Sequence, residues 1–235
     1  MKKQNVKLTL LASLLTGLLS QGAQAAANNS GATIILSAEV AKTTCNVSPM
    51  PNGGVSNGVN LQDLGIFNKN DITSGTATAV GNGTYKLLPA STAPLVLTVT
   101  NCNGEDMAAG GAMEMSVKGN SALDDTTVTT NMDLYGDSNM DRGYGFALGY
   151  ETTDNSPVSV KNNNALTAAQ MSGWILPSAG KVVLYKADNT PAQGDLDKLD
   201  LSVKITPQIA AWGAQAADIA SGTLDTNVTF SVAMN

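Results

Sequence analysis

Apolar and polar positions alternate along most of this chain with a period of two, in short runs broken by Gly, Asn, Pro and Asp. Such alternation puts successive side chains on opposite faces of a strand, so the pattern predicts half-buried β-strands rather than helices. The runs fall at 33–47, 61–67, 94–100, 113–117, 145–151, 182–186, 199–206 and 224–234. In the first, Ile34, Leu36, Ala38 and Val40 share a face; in the last, Val228, Phe230, Val232 and Met234 do. Turn signals separate the runs: Pro49 to Gly54, Gly81-Asn82-Gly83, Asn103-Gly104, Asp154-Asn155-Ser156-Pro157 and Asn189-Thr190-Pro191. Many short strands at this spacing predict an all-β sandwich or barrel. Only 165–173 is compatible with a helix of any length, and 209–220, interrupted by Gly213, is expected to be a loop with at most one helical turn. A predicted strand at each end of the pattern is well placed to pair beyond its own neighbours, because a strand edge is an association site.

The first 25 residues read as a targeting segment. Lys2, Lys3 and Lys7 precede a mostly apolar stretch at 8–19, and Ala23-Gln24-Ala25 has the small-x-small form of a cleavage site, so the mature chain is expected to begin at Ala26. An apolar run of about a dozen residues is too short for a membrane-spanning helix of roughly twenty. Export is therefore the expectation, with one domain in the mature chain. The chain carries 13 basic against 19 acidic residues, a net charge of −6, and three of the basic residues lie in the leader. An acidic mature chain argues against nucleic acid as a partner.

Candidate chemistry is sparse. Cys45 and Cys102 are the two cysteines, and in an oxidising compartment they are expected to form a disulfide, the alternative being two unrelated buried thiols. There is no histidine, and no Gly-x-Ser-x-Gly motif or metal-ligating cluster, so no enzyme activity and no cofactor are expected. The run Asp137-Ser138-Asn139-Met140-Asp141 spaces its oxygens like a calcium loop, but Arg142 stands where the sharp turn needs glycine and Leu148 where a bidentate Glu is needed. It is read as a polar loop with no metal. Asp195, Asp197 and Asp200 are read as a solvated acidic loop rather than paired catalytic carboxylates. Trp174 and Trp212 could stack on a sugar, or pack against a core.

Several segments, in this order, resemble the subunits of chaperone–usher pili (fimbriae) of Gram-negative bacteria. They are Ile34-Ile35-Leu36-Ser37-Ala38-Glu39-Val40 leading to Cys45-Asn46-Val47, Leu61-Gln62-Asp63-Leu64-Gly65, and Leu95-Val96-Leu97-Thr98-Val99-Thr100-Asn101-Cys102. Gly143-Tyr144-Gly145-Phe146-Ala147-Leu148-Gly149-Tyr150 and Val228-Thr229-Phe230-Ser231-Val232 complete the likeness. The resemblance implies an incomplete immunoglobulin-like sandwich, lacking its last strand and completed by donor-strand exchange. A periplasmic chaperone fills the groove during export, an outer-membrane usher assembles the polymer, and the N-terminal extension of a neighbouring subunit replaces the chaperone strand. Residues 26–36 would be the donor extension, with Ala32, Ile34 and Leu36 inserted, and 37–235 the pilin domain. The C-terminal strand, through Val228, Phe230, Val232 and Met234, would edge the groove and meet the chaperone; Met234 stands where the family usually has tyrosine. The implied function is a structural subunit of a surface fimbrium supporting cell adhesion, or alternatively an adhesive subunit binding a host glycan or protein receptor, with Trp174 the candidate contact. The segment 151–199, extra relative to an ordinary subunit, is expected to be an added hairpin or surface insertion.

Overall fold

The computed structural model describes residues 29–40, 45–50, 59–102, 107–124 and 129–234. The expected leader, the start of the proposed extension, and the turns expected at 51–54 and 103–104 lie outside them.

Fourteen strands follow in chain order: β1 (Asn29–Val40), β2 (Asn46–Met50), β3 (Val59–Asn68), β4 (Thr76–Val80), β5 (Gly83–Leu87), β6 (Leu95–Thr100) and β7 (Ala112–Gly119). Then come β8 (Ser121–Asp124), β9 (Thr129–Tyr135), β10 (Tyr144–Asp154), β11 (Ser172–Ile175), β12 (Lys181–Lys186), β13 (Asp200–Ala211) and β14 (Gly222–Met234). Two short helices, α1 (Lys69–Thr73) and α2 (Val158–Lys161), sit in connections. The strands form an all-β sandwich of two sheets. One sheet has the order β12-β7-β14-β1-β3; the other runs β2-β6-β13-β10-β9-β8, with β11 beside β10 and the β4–β5 hairpin attached to β13 through β5.

Each predicted strand is present, with one division. The run 33–47 is two strands: β1 ends at Val40 in the first sheet and β2 begins at Asn46 in the second. Five strands carry too weak an apolar alternation to be predicted. Thr76-Ala77-Thr78-Ala79-Val80 has mostly small side chains, and Ser172-Gly173-Trp174-Ile175 follows a helix-like stretch. That stretch forms one 3₁₀ turn, Ala168–Gln170, and the rest of 209–220 beyond β13 likewise holds only the 3₁₀ turn Ala216–Asp218. The segment 151–199 is not a hairpin. Its strands β11 and β12 go to different sheets, β11 pairing with β10 and β12 with β7, because each carries apolar residues that the neighbouring sheet edge can bury. Ile175, Val182, Leu184 and Tyr185 all lie inside.

Alternation along β9, β10 and β13 sorts side chains into two cores. Tyr135, Phe146, Leu148, Ile209 and Ala211 join the main core between the sheets, while Leu134, Ala147 and Ala210 on the intervening positions join a smaller one. The smaller core is covered by Val80, Tyr85 and Leu87 of the β4–β5 hairpin, with Trp174, Leu176 and Trp212 packed against it. Pro207 is accommodated inside β13 because it falls after β6 stops pairing at Ile205 and before β5 begins at Ala210, where no ladder bond is lost on that side.

Candidate functional site: the strand slot beside the C-terminal strand

β1 lies between β14 and β3. It pairs parallel with β14 from Ser30↔Gly222 to Val40↔Val232, and antiparallel with β3 from Asn29↔Asn68 to Ser37↔Val59. The strand passes Ser37 without a break, so the proposed extension and the first residues of the proposed pilin domain form one continuous element. Ala32, Ile34 and Leu36 face inward and are fully buried in the main core, while Thr33 and Ile35 between them are only partly covered. Burying Ile34 and Leu36 stabilises the sandwich by about 1.5–3 kcal/mol for each.

β1 runs with β14 and against β3, so its two neighbours run opposite to one another. A strand entering this position in either direction would make one parallel and one antiparallel ladder. The slot therefore imposes no strand direction through its hydrogen bonds. What it imposes is parity, because a one-residue slip would turn Ile34 and Leu36 to solvent.

On the β14 side, Leu224, Val228, Phe230 and Val232 point into the core, and Met234 is half-buried against it. Thr226 sits in this stripe, and its hydroxyl has no hydrogen-bond partner among the described residues. Beyond Val228 toward the C-terminus β14 is a central strand, flanked by β7 from Val228↔Gly119 to Met234↔Met113. Over 222–227 its paired neighbour, among the described residues, is β1 alone. On the β3 side, the register shifts at Ala32/Thr33, which face Gly65 and Asp63 and leave Leu64 as the extra residue. Gly65 has φ +94° with open space around its Cβ position, so the conformation, not crowding, calls for glycine. Its N–H donates to Asp63 Oδ1 at 2.9 Å, and the bulged Leu64 side chain is buried.

Cys45 and Cys102 form a disulfide, closing 57 residues of chain between the start of β2 and the end of β6. Cys45 Sγ lies 3.9 Å from Met234 Sδ, so the end of β14 packs on the bridge. The cross-link anchors the chain five residues after β1 ends.

The remaining sequence candidates are dispersed. Trp174 lies on β11 opposite Gly149, its ring 3.4 Å from where a Cβ would stand, and the missing side chain lets the indole lie across the strand pair against the smaller core. Tyr150, the next residue along β10, packs on the main core, so the two rings are on opposite faces of the sheet. Trp212 also packs on the smaller core, its indole N–H buried without a partner among the described residues. Asp137 of the calcium-like run is held by Arg142 at 3.1 Å, and the Asn139 N–H, with Arg142, lowers its carboxyl pKa against the opposing effect of burial. Asp141 accepts from the Gly143 N–H at 2.7 Å. The run thus uses its carboxylates within its own loop, and Arg142 ties that loop to the residue before β14 by donating to the Ser221 carbonyl at 3.4 Å. Asp195 pairs with Lys198 at 3.2 Å on the surface.

Sequence reading missed Asp133. This buried carboxylate accepts from the Asn82 N–H at 3.2 Å and from the Tyr85 hydroxyl at 3.0 Å, fastening the β4–β5 turn to β9. A lone Asp in a polar run gave no signal for it.

No protein-family model matches this chain, and no curated protein matches it.

Proposed function

We propose that this chain is a structural subunit of a bacterial surface fimbrium, exported through the periplasm and polymerising head-to-tail by donor-strand exchange to support cell adhesion. The observation that carries this reading is the place of β1: the first described strand fills a slot between β14 and β3 with the apolar triplet Ala32, Ile34 and Leu36. A strand that completes the core from an interior place in the sheet is replaceable by the equivalent strand of another copy or of a related subunit. Two features support the replacement. The slot accepts either strand direction at equal ladder count, and the disulfide holds Cys45 so that β1 can leave without drawing β2 out of the other sheet. Such a contact joins unlike surfaces and does not close on itself, so repetition gives a filament. Before assembly, β14 and β3 need another occupant of the slot, which is the role of a periplasmic chaperone acting by strand addition, followed by an outer-membrane usher.

The test compares the chain from Ala26 with a truncation starting at Ser37, each expressed with a periplasmic chaperone. Heat-resistant ladders or fibres from the longer form, with the truncated form recovered only bound to chaperone, are the expected result. Free, stable monomers from both would overturn the reading.

A further inference from the structure

The inward stripe of β14 is apolar except at one position. Thr226 lies between Leu224 and Val228, is 6% exposed, and its Oγ1 has no hydrogen-bond partner among the described residues. In the present register it stands opposite Ile34, an aliphatic residue with nothing to offer a hydroxyl. β7 does not pair at this level, its ladder with β14 starting at Val228, so among the described residues the side chain opposite Thr226 in the sheet is the one supplied by whatever strand occupies the slot. Tyr135, whose ring lies 2.7 Å from the Cβ position at Gly119 with Val228 close by, likewise buries a hydroxyl without a partner among the described residues. The stripe thus carries one hydroxyl with no described partner, at a level where the chain's own strand offers only an aliphatic side chain.

We propose that Thr226 is a specificity-determining residue of the slot, selecting an incoming strand that carries a hydroxyl or carboxamide side chain opposite it, in place of this chain's own β1. The inference rests on the strand-exchange reading above. A Thr–Thr or Thr–Asn pair across two strands makes the hydrogen bond that Ile34 leaves unmade. Leaving a buried hydroxyl unsatisfied weakens the occupied state, and one recovered hydrogen bond corresponds to about tenfold in affinity. The chain's own β1 is in this way a serviceable but inferior occupant, present until a better-matched strand arrives. Either strand direction preserves the requirement, because inserting Ala32, Ile34 and Leu36 in reverse about the same centre leaves position 34 opposite Thr226.

The experiment refolds the full mature chain, disulfide intact, with an excess of synthetic peptide covering 26–40, and reads peptide-bound and peptide-free protein by native mass spectrometry. Four peptides are compared: the native sequence and versions with threonine at 32, 34 or 36. Threonine at 34 is expected to raise occupancy about tenfold over threonine at 32 or 36, and that preference should vanish in Thr226→Val while native-peptide binding persists. Equal occupancy by all three threonine peptides, a preference for threonine at 32 or 36, or a preference unchanged in Thr226→Val, would overturn the proposal while leaving strand exchange standing. Failure of every peptide, the native one included, to enter would overturn strand exchange itself, and this proposal with it. Thr226→Val also serves as its own folding control: an isosteric replacement that removes an unpaired hydroxyl should raise the unfolding temperature of the protein without peptide, and a fall would count against the hydroxyl being unpaired.

Discussion

The main core and the smaller core are closed in opposite ways. The main core is completed by β1, a strand held between β14 and β3 that contributes the apolar row Ala32, Ile34 and Leu36. The smaller core is closed by the β4–β5 hairpin, two strands joined by Gly81-Asn82 and fastened by the buried carboxylate of Asp133. On the reading proposed above, a lid built from one strand and held by parity and apolar burial is exchanged for an equivalent strand. A lid built from a local hairpin and a specific polar contact is not, since separating it leaves a buried acceptor and two donors unmatched.

The sharpest break in that contrast is Ile34→Asp. A charge forced into the main core without a partner should destabilise the free protein by more than about 4 kcal/mol, seen as a collapse of the urea midpoint. Native peptide 26–40 added in trans should restore part of the loss. A variant damaged in the hairpin should gain nothing from a β4–β5 peptide, and rescue there would erase the distinction. Next in size is the cross-link. Replacing Cys45 and Cys102 together by serine should cost about 4 kcal/mol for a loop of this length in the chain-entropy model, measured by urea unfolding and by periplasmic yield. An unchanged midpoint would contradict a structural disulfide.

Asp133→Ala should cost about 2 kcal/mol, since it orphans the Tyr85 hydroxyl and the Asn82 N–H, and Tyr85→Phe made in the same background should cost less than Tyr85→Phe alone. Additive losses would show that the two groups do not act together. The smallest effect is expected at Asp137. Its carboxyl pKa is held below the ordinary value, so the stabilisation it gives is complete above the unfolded-state pKa and is lost as pH falls through the folded-state one. Asp137→Asn should therefore lower the urea midpoint slightly at pH 7, by less than about 1 kcal/mol for a partly exposed pair, and the difference from the parent should close in acid. A difference that persists at low pH would locate the effect elsewhere.

How much of this was legible beforehand differs by element. Strands with bulky alternating residues, such as Leu95 to Thr100 and Gly222–Met234, were readable because burial on one face leaves its period in the sequence. The hairpin strand Thr76–Val80 was not, because its small side chains take their burial from neighbours they do not choose. Ala32, Ile34 and Leu36 were legible as an inward face, and Cys45 with Cys102 as a pair. The importance of Thr226 was not, because one threonine in an alternating run is ordinary until the partner opposite it is known.

By itself, then, the order of apolar and polar residues determined that the chain is β-rich, which faces of its long strands point inward, and that its two cysteines could pair. Those are local properties, set by the two-residue repeat of an extended backbone. Only the tertiary structure decided that β1 lies between β14 and β3, that β11 and β12 belong to different sheets, and that Asp133 meets Tyr85 and Asn82. Each of those depends on which distant segments become neighbours, and a hydrogen bond or a slot between strands exists only once both sides have been brought together.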